Sequence, residues 1–201
     1  MWRKLTKQIN SDANHAALLL CRSGGALNVK NIQKMKTINR ATIIFFVIIS
    51  CVGCDQVTKN MAKHSLPKFE AISFLNDTFR LQYAENQGAF LSLGATIPQN
   101  IRYLLLTCLV AGFLLVLLTY LIKTKRIKNS TTVALSLILA GGTGNLIDRI
   151  FNDGSVIDFI NMGIGSIRTG VFNIADIAIT IGTIWFIFLS IIHRNKNEKS
   201  I

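Results

Sequence analysis

Apolar residues in this chain come in long runs rather than at alternate positions. Four runs stand out: about 41–62, Ile101 to Ile122, Thr132 to about Phe151, and Val171 to Ile192. A helix needs ~20 consecutive, mostly apolar residues to cross a bilayer, so the pattern predicts four spanning helices. In the first run, Asp55 and Lys59 follow the apolar lead at an i,i+4 spacing that favours an ion pair on one helix face. The second run is apolar all round and reads as scaffold. The third contains Gly141-Gly142-Thr143-Gly144, small residues that let another helix approach closely.

The interval between the first two runs is polar and broken into short stretches, Phe69 to Phe74, Thr78 to Tyr83 and Ala89 to Leu93, with a turn at Asn76-Asp77. These predict a small sheet. The fold class is therefore a mainly α membrane protein, four transmembrane helices with a small extramembrane β-sheet at the outer membrane surface. Residues 1–34 are polar, basic and aperiodic, and read as a disordered extension ahead of a membrane domain over 35–201.

Composition sharpens this picture. The chain has 201 residues, half of them hydrophobic, and a mean hydropathy of +0.43, too apolar for an ordinary soluble domain. Its net charge of +12 raises the question of nucleic acid. The basic residues, however, gather at the ends of the apolar runs instead of on one face interleaved with aromatics, so no nucleic-acid partner is expected. Eight Lys and Arg precede the first run, four lie in 123–131 and three follow the last run, whereas 152–170 holds Arg168 alone. The positive-inside rule then puts both termini in the cytoplasm and the polar ends of the runs at the outer face.

Four cysteines, Cys21, Cys51, Cys54 and Cys108, suggest no disulfide framework. The pair Cys51 and Cys54 reads as small buried hydrophobes. Val52-Gly53-Cys54 after a basic, apolar lead also resembles the cleavage site of a lipoprotein precursor. The three further spanning runs argue against that alternative.

The chemistry concentrates in Val156 to Thr180. A glycine-rich connection carries Asp158, and Asp176 lies some ~8 Å along a helix expected to start near Val171. A charge at hydrocarbon depth costs at least ~2.5–3.5 kcal/mol, so such a carboxylate needs a reason. If the two carboxylates meet, they cannot both ionise cheaply, and one keeps its proton near neutral pH. Bland readings stand beside this one: Asp55 with Lys59, or Asp148 with Arg149, as interfacial ion pairs, and Asn173 as a helix cap. His15, His64 and His193 have no metal-ligand company, so no metal is expected.

Five ordered motifs carry a resemblance: Asp55-Gln56-Val57-Thr58-Lys59, Asn86-x-Gly88-Ala89, Gly144-Asn145-Leu146-Ile147-Asp148-Arg149, Val156-Ile157-Asp158-Phe159 and Phe172-Asn173-Ile174-Ala175-Asp176. Together they resemble lipoprotein signal peptidase (signal peptidase II), a family of bacterial intramembrane aspartic endopeptidases. The resemblance implies Asp158 and Asp176 as a catalytic dyad, with Asn86, Gly88, Asn145, Arg149 and Asn173 shaping the site or holding substrate. It implies a supporting role for Asp55, Lys59 and Asp148. The implied substrates are diacylglyceryl-modified prolipoproteins, cut just before the modified cysteine, without metal or organic cofactor. A monomer in the cytoplasmic (inner) membrane, in contact with membrane lipid, is expected. The competing class is a small proton-coupled transporter using Asp158 or Asp176 as a relay, but no internal repeat supports it.

Overall fold

The computed structural model describes residues 40–88, 98–124 and 127–198. The chain divides into a unit over 1–42, of which only the last three residues are described, and a unit over 43–201. The extension read over 1–34 and the strand read over Ala89 to Leu93 lie outside the described residues.

Among the described residues, four helices are long and apolar enough to cross a membrane: α1 (Arg40–Ser65), a composite second helix, α4 (Asn129–Phe151) and α5, whose spanning part is Ile174–Arg194. The second is built from α2 (Gln99–Leu104), a π-helical stretch (Leu105–Leu109) and α3 (Val110–Lys123). Helix α5 runs over Ile174–Glu198. Burial separates the four. Of the most apolar window of α4, 56% is buried inside the protein, against 11–22% for the others. Helix α4 is therefore the axle, and its small residues make that possible. A Cβ at Gly141 would strike the Ala175 carbonyl of α5, and one at Gly144 would lie 2.5 Å from Asp55 Oδ2 of α1. Ile44 of α1 packs with Leu114, Leu117 and Leu121 of α3 and with Leu135 and Leu139 of α4. Phe45, Phe46, Val116, Ile184 and Phe188 face outward, as lipid-facing positions do.

Among the described residues the sheet is antiparallel and four-stranded, in the order β1 (Ile72–Phe74), β2 (Phe79–Asn86), β3 (Val156–Ile164), β4 (Ile167–Arg168). This corrects one expectation: Asp158 sits on a strand, not in a loose connection. Val156, Ile157, Phe159 and Ile160 are apolar enough to be buried on both sides, so β3 forms the floor under the helix ends. The register of β2 against β3 shifts between Leu81 and Ala84, a bulge that brings Asn86 opposite Val156 and Ala84 opposite Asp158. Phe159 and Ile160 then pack with Ala62 of α1 and with Phe172, Ile174 and Ile177.

Two further expectations shift. Helix α5 starts at Ile174, not Val171, because Phe172 is drawn into a bridge with Ile160 of β3. Asp176 consequently lies in the first turn. The cysteines of α1 are not core residues: Cys51 is half-buried and Cys54 exposed on the outer face, where a small hydrophobe is equally at home.

Candidate active site

Asn173 organises the polar cluster. It precedes α5, and its Oδ1 accepts the Asp176 N–H at 2.9 Å while the Asp176 Oδ2 accepts the Asn173 N–H at 3.2 Å. This is a reciprocal capping box, built from Asn and Asp, so the cap reading was correct. The same side chain does more than cap. Its Nδ2 donates to Asp158 Oδ1 at 2.6 Å and to Asn145 Oδ1 at 3.1 Å, and it is fully buried. Asn145 Nδ2 in turn donates to Asp176 Oδ1 at 2.9 Å. Two amides thus tie together the two aspartates singled out in the sequence. Asn86 Nδ2 donates to Asp158 Oδ2 at 3.1 Å, and its own Oδ1 accepts the Gly88 N–H at 3.0 Å.

Beneath this cluster lies a closed ionic bracket. Lys59 Nζ is 2.7 Å from Asp55 Oδ2 and 3.0 Å from Asp148 Oδ2, and it donates to Asn145 Oδ1 at 2.9 Å. Asp55 and Lys59 pair as their spacing suggested. Asp148 pairs with Lys59, not with Arg149. Each bracket carboxylate also holds the backbone one residue before an aspartate of the upper cluster: Asp55 accepts the Ala175 N–H at 2.8 Å, and Asp148 accepts the Ile157 N–H at 3.0 Å. Gln56 Nε2 reaches Asp148 Oδ1 at 3.0 Å and the Gly144 carbonyl at 3.2 Å. No role for Gln56 was read from the sequence. Its signal was there, an uncharged polar residue beside Asp55 within an apolar helix.

Asn86, Asn145, Arg149, Asp158, Asp176 and Thr180 line one cavity of about 710 Å³. Its other walls are largely apolar, from Leu106 and Val110 of the second helix and Ile177 and Ile181 of α5. The π-helical stretch belongs here, since such insertions re-aim side chains near sites. Arg149 Nη2 donates to the Gly88 carbonyl at 3.2 Å, while its Nε is buried without a partner among the described residues. Burial, and then the negative charge of Asp176, push the Asp158 carboxyl up to about 7, against the pull of the Asn86 and Asn173 amides and of Lys59. Among the described residues no group of three His, Cys, Asp or Glu side chains is placed to hold a metal ion.

A family model described as "Signal peptidase (SPase) II" matches residues 47–192, well over half of the chain. The chain belongs to the signal peptidase II family. Among its relatives, a lipoprotein signal peptidase of Syntrophus aciditrophicus (strain SB) is 36% identical over 146 residues, covering 73% of this chain and 89% of the relative. One from Borrelia hermsii (strain HS1 / DAH) is 31% identical over 172 residues, covering 83% and 98%. A solved bacterial membrane enzyme superposes with a TM-score of 0.64 at 28% identity, covering 79% of this chain and 90% of that one. Signal peptidase II membership and the four spanning helices agree with the fold class read from the sequence. The matched span contains all five motifs and omits residues 1–46.

Proposed function

We propose that this protein removes signal peptides from diacylglyceryl-modified prolipoproteins, using Asp158 and Asp176 as an aspartic dyad. The observation that carries the reading is the sharing of one cavity by two aspartates that neutral amides bind and that, among the described residues, no Lys or Arg pairs with directly. Burial and the neighbouring Asp176 raise the Asp158 carboxyl to about 7, so Asp158 is able to carry the proton that the dyad shares. Asp176 is then the ionised partner and takes a proton from water as the oxygen attacks the scissile carbonyl carbon. Asp158 gives its proton to the carbonyl oxygen, forming a gem-diol. Its collapse breaks the C–N bond: the proton held by Asp176 passes to the departing amine of the modified cysteine, and one hydroxyl proton of the gem-diol returns to Asp158, leaving a carboxyl on the signal peptide. Arg149, a fixed cation in the same cavity, orients the peptide near the reacting carbonyl. Asn86 and Gly88 hold the Asp158 side, while Asn145 and Asn173 keep both carboxylates in place.

The apolar walls suit acyl chains that remain in the bilayer while the scissile bond meets water at its edge. Basic-residue placement supports a bacterial inner-membrane protein with both termini cytoplasmic and the dyad near the outer face. The purified protein, incubated with a diacylglyceryl-modified prolipoprotein, should release the signal peptide and leave the modified cysteine as the new N-terminus. Intact precursor after prolonged incubation with the folded protein would defeat this reading and return the aspartates to a proton-relay role.

A further inference from the structure

Helix α5 turns one face to the cavity. Asp176, Ile177, Thr180 and Ile181 all line it, at the i, i+1, i+4 and i+5 spacing of a single helix face. Thr180 therefore lies one turn past Asp176, roughly 6 Å further along the helix. It is exposed, and its neighbours on that face, Ile177 and Ile181, are apolar. Leu106 and Val110 of the second helix add further apolar surface to the same cavity.

The Thr180 hydroxyl stands apart from the other polar groups of the wall. The asparagines and the two aspartates bond one another, Arg149 donates to the Gly88 carbonyl, and Arg168 donates to Asn161. The other lining hydroxyl, Thr169 Oγ1, accepts the Met162 N–H at 3.0 Å. Elsewhere in the helices Thr58, Thr119, Thr143 and Ser190 turn their hydroxyls back on the carbonyl four residues earlier, at 2.7–2.8 Å. That bond satisfies the donor within its own helix. Thr180 makes no such bond to Asp176, and its side chain has no hydrogen bond among the described residues. A hydroxyl on an apolar wall gains from any acceptor that the occupant of the cavity brings.

The proposed substrate brings acceptors to that depth. From the scissile nitrogen, the modified cysteine runs through Cα, Cβ and Sγ to a glycerol whose two acyl chains are joined by esters. Ester carbonyl oxygens accept hydrogen bonds and cannot donate them. With the scissile bond at the dyad and the acyl chains in the bilayer, those carbonyls fall on the bilayer side of Asp176, where Thr180 lies if α5 descends from the outer face.

We infer that Thr180 is a specificity-determining residue: its hydroxyl donates to an ester carbonyl of the diacylglyceryl group and distinguishes an ester-linked lipid from an ether-linked one. The inference rests on the peptidase reading above. Because the contact exists before and during bond breaking, it acts on binding and not on the chemical step.

The test is steady-state cleavage by full-length protein in detergent of two synthetic prolipoprotein peptides. They are identical except that the glycerol carries two acyl esters in one and two alkyl ethers, which lack the carbonyls, in the other. Thr180→Val keeps the shape of the side chain and removes the hydroxyl. It should raise KM for the ester peptide about fivefold, the worth of one neutral hydrogen bond, and leave KM for the ether peptide unchanged. The wild-type preference for the ester peptide should shrink by the same factor, with kcat within about twofold throughout. Thr180→Ser keeps the hydroxyl and should keep the preference. A Val variant that prefers the ester peptide as strongly as the wild type does, or that raises both KM values equally, overturns the inference while wild-type cleavage leaves the peptidase reading intact. A wild-type protein that cleaves neither peptide defeats that reading itself, and the Thr180 inference with it.

Discussion

Asp55 and Asp148 face a different environment from Asp158 and Asp176, although all four carboxylates belong to one hydrogen-bonded network. The first two are closed around Lys59 and have given their oxygens to the ammonium, Gln56 and two backbone N–H groups. The second two open on the cavity and are held by asparagine amides. An amide offers hydrogen bonds without charge, so it fixes a carboxylate in space but cannot compensate a second negative charge beside it. On the proposed reading the lower pair is structural and the upper pair carries the proton. Residue type does not separate them; the sign of the nearest fixed partner does.

The largest effect that would test this contrast comes from the upper pair. Asp158→Asn or Asp176→Asn keeps size but removes the acid or base, along with one of the two hydrogen-bond acceptors, and should cut cleavage by about 10²–10⁴-fold. Thermal unfolding in detergent should stay close to wild type for both. Either variant cleaving at near-normal rate would erase the distinction between the pairs.

The lower pair should respond in the opposite currency. Lys59→Met leaves two buried carboxylates without their cation and should destabilise the protein by about 3–5 kcal/mol, since removing one partner of a buried ion pair is far worse than replacing the whole. The measurement is the unfolding midpoint of the purified variant. A Lys59→Met protein of normal stability would mean that the bracket does not hold the fold.

Helix packing offers a finer comparison. Gly141→Ala forces a methyl against the Ala175 carbonyl, while Gly142→Ala meets Leu114 Cδ2, the mobile end of a side chain, at 2.6 Å. The first should cost about 1–3 kcal/mol and the second clearly less. Equal losses would show that α5 yields as easily as Leu114 does.

The smallest effect is a pH shift. The folded protein binds the Asp158 proton more tightly than the unfolded chain, whose carboxyl titrates near ~4. Its contribution to stability is full below that value and is lost as pH rises through about 7. Cleavage should decline over the same upper limb, where the shared proton leaves. Asn86→Ala removes a hydrogen bond that favours the ionised form, so the limb should move to higher pH in a rate profile. A limb that stays put, or moves down, would place the critical proton on another group.

Much of this was visible in the linear chain. Asp158, Asp176, Asn145 and Asn173 were singled out in the sequence and do converge, and the spacing of Asp55 and Lys59 did mean an ion pair. Gln56 and Arg168 were passed over. A lone arginine in a short polar connection carries no local signal, and its partners Asp77 and Asn161 come from two other parts of the sheet.

What the sequence determined by itself was the number of spanning helices and which polar residues sit at their ends. Burial of an apolar run depends only on its length and hydrophobicity, which are local properties. Tertiary structure decided the rest. Strand β3 formed where a glycine-rich connection was expected, because the run around Asp158 is floored by β2 and by the helix ends. Its bridge to Phe172 then delayed the start of α5 and placed Asp176 in the first turn. Asp148 chose Lys59 over its neighbour Arg149 because successive residues on a helix point about 100° apart, so the partner in reach lay on another helix. Hydrogen-bond partners follow from register and helix contact, and neither is written in the spacing of a single segment.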